Sequence, residues 1–168
     1  MFPSVLKNFN AFVNGRGMAG LVDEAELPEL SIRTEEHRAG GMDGTAEMDM
    51  GQEPMRSRLV FAEYNAEVFK LFGLANGNAA RIVLRGAARR DSDGVVTPIV
   101  AELHGRIIRI AQGTWQAGQK ATAEVEMTVN YYRLNVAGED LIEIDVENFK
   151  RIVGGVDQLA AMREALAL

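Results

Sequence analysis

Two glycine-rich stretches carry spacings that could cradle a phosphate. Asn14-Gly15-Arg16-Gly17-Met18-Ala19-Gly20 matches Gly-x-Gly-x-x-Gly. In a dinucleotide site that pattern follows a buried strand and opens a helix whose N-terminus meets the pyrophosphate. Here Asn8–Val13 reads as a polar strand and an acidic run ending at Pro28 follows, so no helix stands where the phosphate needs one. Asn-Gly is instead a strong two-residue hairpin signal. Gly113-Thr114-Trp115-Gln116-Ala117-Gly118-Gln119-Lys120 approaches a P-loop. Gln119 occupies the place of the phosphate-reaching lysine, and a strand rather than a helix follows. The segment reads as a surface turn carrying Trp115.

The remaining reactive types are as poorly placed. Asp43, Glu47, Asp49 and Glu53 offer oxygen ligands for calcium, but the EF-hand spacing and its sharp-turn glycine are absent. Alternation puts Glu47 and Asp49 on the solvent side of a strand. The two histidines, His37 and His104, lie in different segments, without metal-ligand spacing or a serine nucleophile beside them. The absence of cysteine removes disulfides, thiol nucleophiles and thiolate zinc sites. Neither a catalytic residue nor a metal or cofactor site is predicted.

The elements that position these residues are mostly strands. Met55, Ser57, Leu59 and Phe61 alternate with Arg56, Arg58 and Val60, the mark of a half-buried strand. Ala46, Met48 and Met50 alternate in the same way, as do Ile142, Ile144 and Val146. Residues 79–90 and 95–110 read as strands joined by the turn signal Asp91-Ser92-Asp93-Gly94. Two long strands change phase midway. Val125, Met127 and Val129 give way after Tyr131-Tyr132 to Leu134 and Val136, and Ile99, Ala101 and Leu103 give way near Gly105 to Ile108 and Ile110. A one-residue slip of this kind marks a bulge or sharp bend, by which a strand can pass from one sheet to another. Asn65 is placed to cap a helix over Ala66–Phe72, stopped by Gly73, and Leu159, Met162 and Leu166 form a helical stripe after Asp157. The expected fold is mainly β: a two-sheet sandwich or barrel with one internal and one C-terminal helix, in a single domain spanning 1–168.

Composition adds limits. The chain has 168 residues, 47% hydrophobic and 25% charged, with a net charge of −6. No apolar run approaches the roughly 18 residues of a membrane span, and Met1–Asn10 does not read as a signal peptide. The net charge weighs against an extended nucleic-acid-gripping surface. Its distribution is uneven: residues 21–67 hold 12 acids against 4 bases, whereas residues 68–120 hold 8 bases against 3 acids. Residues 121–168 return to 9 acids against 4 bases. Segments of opposite sign can form complementary faces that steer self-association.

Residues 28–45 fit neither period and, with Gly40-Gly41 and dense charge, read as an exposed arm or extended hairpin. Within it, Thr34-Glu35-Glu36-His37-Arg38-Ala39-Gly40-Gly41-Met42-Asp43, followed by Met48-Asp49-Met50-Gly51, resembles the signature of the major tail tube proteins of contractile-tailed bacteriophages, a family that includes R-type pyocin tubes. The resemblance runs nearly end to end. Leu6-Lys7-Asn8-Phe9-Asn10, Leu27-Pro28-Glu29-Leu30, Leu71-Phe72-Gly73-Leu74, Tyr131-Tyr132-Arg133-Leu134 and Gly155-Val156-Asp157-Gln158-Leu159-Ala160 follow in the family's order. It departs at His37, where the family more often has an aromatic residue.

The resemblance implies a protomer whose sheets join those of its neighbours in a hexameric ring. Rings stack into the inner tube of a contractile tail, which carries DNA in a phage or breaches the cell envelope in a pyocin. Implied partners are further copies of the chain, the contractile sheath, baseplate and tail-terminator proteins, DNA in transit in a phage, and the target cell envelope. The implied place is the tail of a virion or pyocin, assembled in the host bacterial cytoplasm. No cofactor and no covalent chemistry are implied. The arm, Arg33 to Asp43, is expected to contact a neighbouring subunit or ring. An acidic channel wall would not hold DNA in passage, which makes Glu47 and Asp49, or Glu124 and Glu126, candidates for the lumen; the alternative is that they face the sheath or a subunit contact. A related injection or secretion tube shares these mechanics without DNA passage. A small β-barrel binding protein or flavin enzyme is the remote alternative.

Overall fold

The computed structural model describes residues 2–77 and 79–168. Among the described residues, twelve strands and two short helices follow one another: β1 (Val5–Val13), β2 (Arg16–Gly17), β3 (Val22–Glu26), β4 (Ile32–His37), β5 (Ala46–Gln52), β6 (Met55–Phe61), α1 (Ala66–Phe69), β7 (Ala80–Arg89), β8 (Val96–Ala111), β9 (Ala123–Val136), β10 (Glu139–Asp145), β11 (Lys150–Val153), β12 (Val156–Asp157) and α2 (Ala160–Ala165). Ten strands make one hydrogen-bonded sheet in the order β12-β11-β10-β9-β8-β7-β1-β2, with β6 on β9 and β3 on β6. The expected two separate sheets are therefore one sheet that branches at β9. Its first half, Ala123 to Val129, pairs with β6, and its second half, Tyr131 to Val136, pairs with β10. β8 runs along the other edge of both.

The phase slip in the sequence of β9 is the hinge of this branching. His104 pairs with Tyr131 and Gly105 with Val129, so Asn130 is the extra residue of a bulge. Burial follows: Ala123, Val125, Met127 and Val129 face the core before the bulge, Tyr132 after it. At Gly105 the backbone of β9 leaves no room for a side chain; a Cβ there would lie 1.8 Å from the Thr128 carbonyl oxygen. On β8 the slip comes later than expected. Ile107, not Ile108, is buried, at 1% exposure, because the bulge at His104/Gly105 adds its residue to β9 and leaves the phase of β8 intact. A second irregularity, between Ile107 and Arg109, then turns Ile110 toward the core.

Both halves of the sheet share one apolar core, which gathers Met55, Leu59 and Phe61 of β6, Ile82 and Leu84 of β7, Leu103 of β8, Met127 of β9 and Ile144 of β10. Ser57, the polar residue in this inward row, is buried at 2% and donates its hydroxyl to the Glu26 carbonyl at 2.7 Å, which offsets the cost of burying it.

The helices are slighter than the sequence indicates. Asn65 caps α1, its Oδ1 accepting from Glu67 N–H at 3.0 Å, but the helix ends at Phe69 and buries Val68 alone. Phe72 instead bridges Ile107 of β8, and Gly73, at φ +65°, donates to the Ile107 carbonyl. On α2 no residue is buried; Met162 is 56% and Leu166 55% exposed. The helical spacing of that stripe is real, but among the described residues only Leu159 of it is half-buried. Asp157 does accept from Leu159 N–H and pairs with Arg163 at 2.7 Å. Asn14-Gly15 forms the two-residue turn between β1 and β2, both residues at positive φ, the combination a type I′ hairpin requires. The Gly113–Lys120 stretch is an exposed loop before β9.

Candidate assembly surface

β4 and β5 form a two-stranded sheet separate from the rest. Arg33, Thr34, Glu35, Glu36 and His37 lie on its first strand; Arg38, Ala39, Gly40, Gly41, Met42 and Asp43 lie in the connection to β5. That connection is held by Met42 N–H donating to the Ala39 carbonyl, with Gly41 at φ +87°. All of β4 is exposed, and so is β5 up to Gln52. The half-buried alternation expected of Ala46, Met48 and Met50 is not realised: Met48 is 42% and Met50 51% exposed, beside Ile32 at 44%. Alternation assigns residues to a common face and is silent on whether that face is covered.

Register sorts the hairpin into two faces. Thr34 is opposite Asp49 and Glu36 opposite Glu47 on one face; Glu35 is opposite Met48 and His37 opposite Ala46 on the other. Glu36 and Glu47 are like charges directly across a ladder, which destabilises a strand pair. Asp49 has a cation: its Oδ2 lies 2.7 Å from an Arg151 guanidinium nitrogen on β11. Its Oδ1 accepts from Gly51 N–H at 2.8 Å, at the irregular step where Gly51 takes φ +106°. The Arg151 hydrogen bond, then that backbone donor, hold the Asp49 carboxyl below the usual carboxylate range. This ion pair ties the hairpin to the body. Beside it a groove of about 660 Å³ opens between β5, the turn after β10 and α2, lined by Met50, Val146, Phe149, Leu159 and Met162.

Glu124 and Glu126 lie elsewhere, on the outward side of β9, and each has cationic partners. Arg109 on β8 reaches Glu124 at 2.6 Å and Glu126 at 3.0 Å, Arg56 on β6 reaches Glu126 at 3.1 Å, and Arg58 spans Glu24, Glu26 and Glu124. Hydrogen bonds from Arg109 and then Arg56 hold the Glu126 carboxyl low, and the Arg58 and Arg109 guanidiniums are raised first by their bonds to Glu26 and Glu126. Three arginines and four glutamates thus interleave on one sheet face. Strand alternation marks these acids as outward; their partners become visible only once β6, β9 and β8 are in register.

Two further features are not singled out by the sequence as contact sites. The outer edge of β1 from Val5 to Asn10 has no strand partner among the described residues, since β2 covers only Phe12 and Val13; Val5 and Leu6 there are 49% and 54% exposed. Trp115, 79% exposed, is fixed by its indole N–H donating to the Tyr64 hydroxyl at 3.0 Å. Tyr64 donates in turn to the Gln112 carbonyl. Open edges and uncovered apolar side chains are the features of a subunit that adds to others. No group of three or more metal-ligating side chains occurs among the described residues.

The fold is shared with chains of contractile injection systems. It matches a chain of the sheath–tube complex of the PVC extracellular contractile injection system in its extended state (TM-score 0.61, 13% identity, 79% of this chain and 91% of that one). It also matches the terminating cap of the anti-feeding prophage tube (TM-score 0.61, 13% identity, 82% and 93%). At these identities the likeness is one of fold alone. The sequence goes further: the profile of the family described as phage tail tube protein FII matches residues 3–166, and the chain belongs to that family. Its relatives include the tail tube protein of Escherichia phage P2, 28% identical over 99% of this chain and 98% of that protein. The major tail tube protein of Serratia phage KSP20 is 28% identical over 88% and 85%.

Proposed function

We propose that the protein is the structural subunit of the inner tube of a contractile phage tail, assembling as hexameric rings that stack within a sheath. The observation that carries this reading is the β4–β5 hairpin. A two-stranded sheet is marginal by itself in water, and this one exposes Ile32, Met48 and Met50 and sets Glu36 against Glu47. A neighbouring copy supplies the missing cover. The open edge of β1 and the bare face of α2 support the same reading, because a head-to-tail contact that closes gives a ring and repetition of rings gives a filament. The further partners are sheath, baseplate and terminator proteins, with DNA in transit and the envelope of the target cell at its end. The particle assembles in the host cytoplasm, and the tube acts by forming a passage, without covalent chemistry.

Glu124 and Glu126 are our candidates for the channel wall. Their arginine partners make that surface one of interleaved charges, which neither grips a polyanion nor repels it strongly. Glu47 and Asp49 are assigned to subunit contact instead. A cryo-EM map of the tube with Glu124 and Glu126 away from the channel overturns the first assignment.

The arm is tested by deletion of Arg33–Gly44. The expected variant is folded and soluble by circular dichroism and forms no tubes. Tubes of normal appearance from that variant contradict the role given to the arm.

A further inference from the structure

We infer that the outward face of β7 is the seat for the hairpin of a second copy, with Glu36 and Glu47 of one copy meeting Arg81 and Arg85 of the next. This rests on the tube reading and names the partner surface of the same arm. On β7, Arg81, Val83, Arg85, Ala87 and Arg89 alternate with the buried Ala80, Ile82, Leu84 and Ala88, so three guanidiniums project from one side of one strand. Arg89 lies within the field of Asp91. Arg81 and Arg85 form no ion pair with the described residues, whereas eight other arginines of the chain each hold a carboxylate. The flanking strands offer Arg85 only Asn10 and Val100, and Arg81 only His104, at the paired positions. Glu102, the carboxylate nearest in register, is engaged by Arg133 at 3.1 Å and by His104 at 2.8 Å.

The hairpin has the opposite deficit. Glu36 and Glu47 are adjacent across the ladder and no cation of the described residues pairs with either; Arg38, two residues beyond Glu36, engages neither. Strands of a ladder are about 4.8 Å apart, so the two carboxylates form one compact doubly negative group, which suits a guanidinium with its several donors. Within one subunit the arm cannot relieve its repulsion and β7 cannot satisfy its arginines. Between two subunits one contact does both, and it joins different surfaces, as a head-to-tail assembly requires. The acidic block 21–67 and the basic block 68–120 of the sequence meet here.

The test is a charge exchange read by negative-stain microscopy and sedimentation. Glu36→Lys/Glu47→Lys and Arg81→Glu/Arg85→Glu are each expected to raise the concentration needed for tubes by about tenfold or more, as like charges then face each other. The chain carrying all four substitutions is expected to recover tubes. Wild-type assembly by either pair, or failure of the fourfold variant despite a wild-type circular dichroism spectrum, overturns the contact. Should a reversal prevent folding, Glu36→Gln/Glu47→Gln and Arg81→Gln/Arg85→Gln take its place, and an unchanged threshold in either overturns it. The chain has no cysteine, so Glu47→Cys mixed with Arg85→Cys and a short bismaleimide gives a second reading. A covalent dimer forms only from the mixture if the contact exists, and none forms if it does not. Absence of tubes from the unmodified protein counts against the tube reading, while the cross-link still decides the contact.

Discussion

Asp49 and Arg151, 102 positions apart in the chain, form a 2.7 Å ion pair that fastens the exposed β4–β5 hairpin to β11. Arg151 is largely enclosed, its side chain 15% exposed, while Asp49 is 46% exposed. The pair therefore fixes where the hairpin leaves the body, and its contribution to global stability is small. Replacing Arg151 by Ala is expected to speed amide exchange through Ala46–Gln52 and leave exchange in β6 and β9 unchanged. Acid has the same effect. The Asp49 carboxyl is lowered from its ordinary 3.8, so the tether is intact above that pH and is lost as pH falls through the lower folded value. Uniform exchange across hairpin and body contradicts this.

Gly105→Ala is expected to be among the most damaging single substitutions. Its Cβ would stand 1.8 Å from the carbonyl oxygen and 2.8 Å from the carbonyl carbon of Thr128, and that backbone is held by β6 on its far side. A loss of about 3 kcal/mol or more in urea unfolding is expected. A wild-type midpoint would show that β8 and β9 are not so closely opposed.

Tyr131 gives a pH signature at the alkaline end. Burial, then the charges of Glu143 and Glu102, push its phenol up to about 12 from an ordinary 10.0, while its hydroxyl donates to Glu143 at 3.2 Å and its ring stacks on His104 at 4.7 Å. The neutral phenol adds stability that is fully present below pH 10.0 and is lost as pH rises through about 12. Tyr131→Phe is expected to remove that alkaline slope. Tyrosinate absorbance titrating at the ordinary value for all three tyrosines contradicts the assignment.

Several of these relationships were legible before any fold was known. The phase slip at Tyr131-Tyr132 marks a bulge in β9, which pairing places at Asn130; Asn14-Gly15 locates a hairpin, and Met55–Phe61 alternates as it is buried. Each is a local rule, obeyed where the chain is its own context. What escaped depends on neighbours. The sequence puts the slip in β8 near Gly105, but which strand carries a bulge's extra residue is decided by pairing, so Ile107 and not Ile108 enters the core. Met48, Met50, Met162 and Leu166 read as apolar rows and are exposed, because periodicity assigns side chains to a common face without saying whether that face is covered. Glu124 and Glu126 read as bare acids because Arg56, Arg58 and Arg109 reach them only across strands.

The most direct test of the central claim is negative-stain microscopy of the concentrated purified protein, paired with sedimentation across a concentration series. Rings of six copies, and tubes of stacked rings at higher concentration, are the predicted result. A single 18.4 kDa species at every concentration, with no rings in the images, contradicts the account.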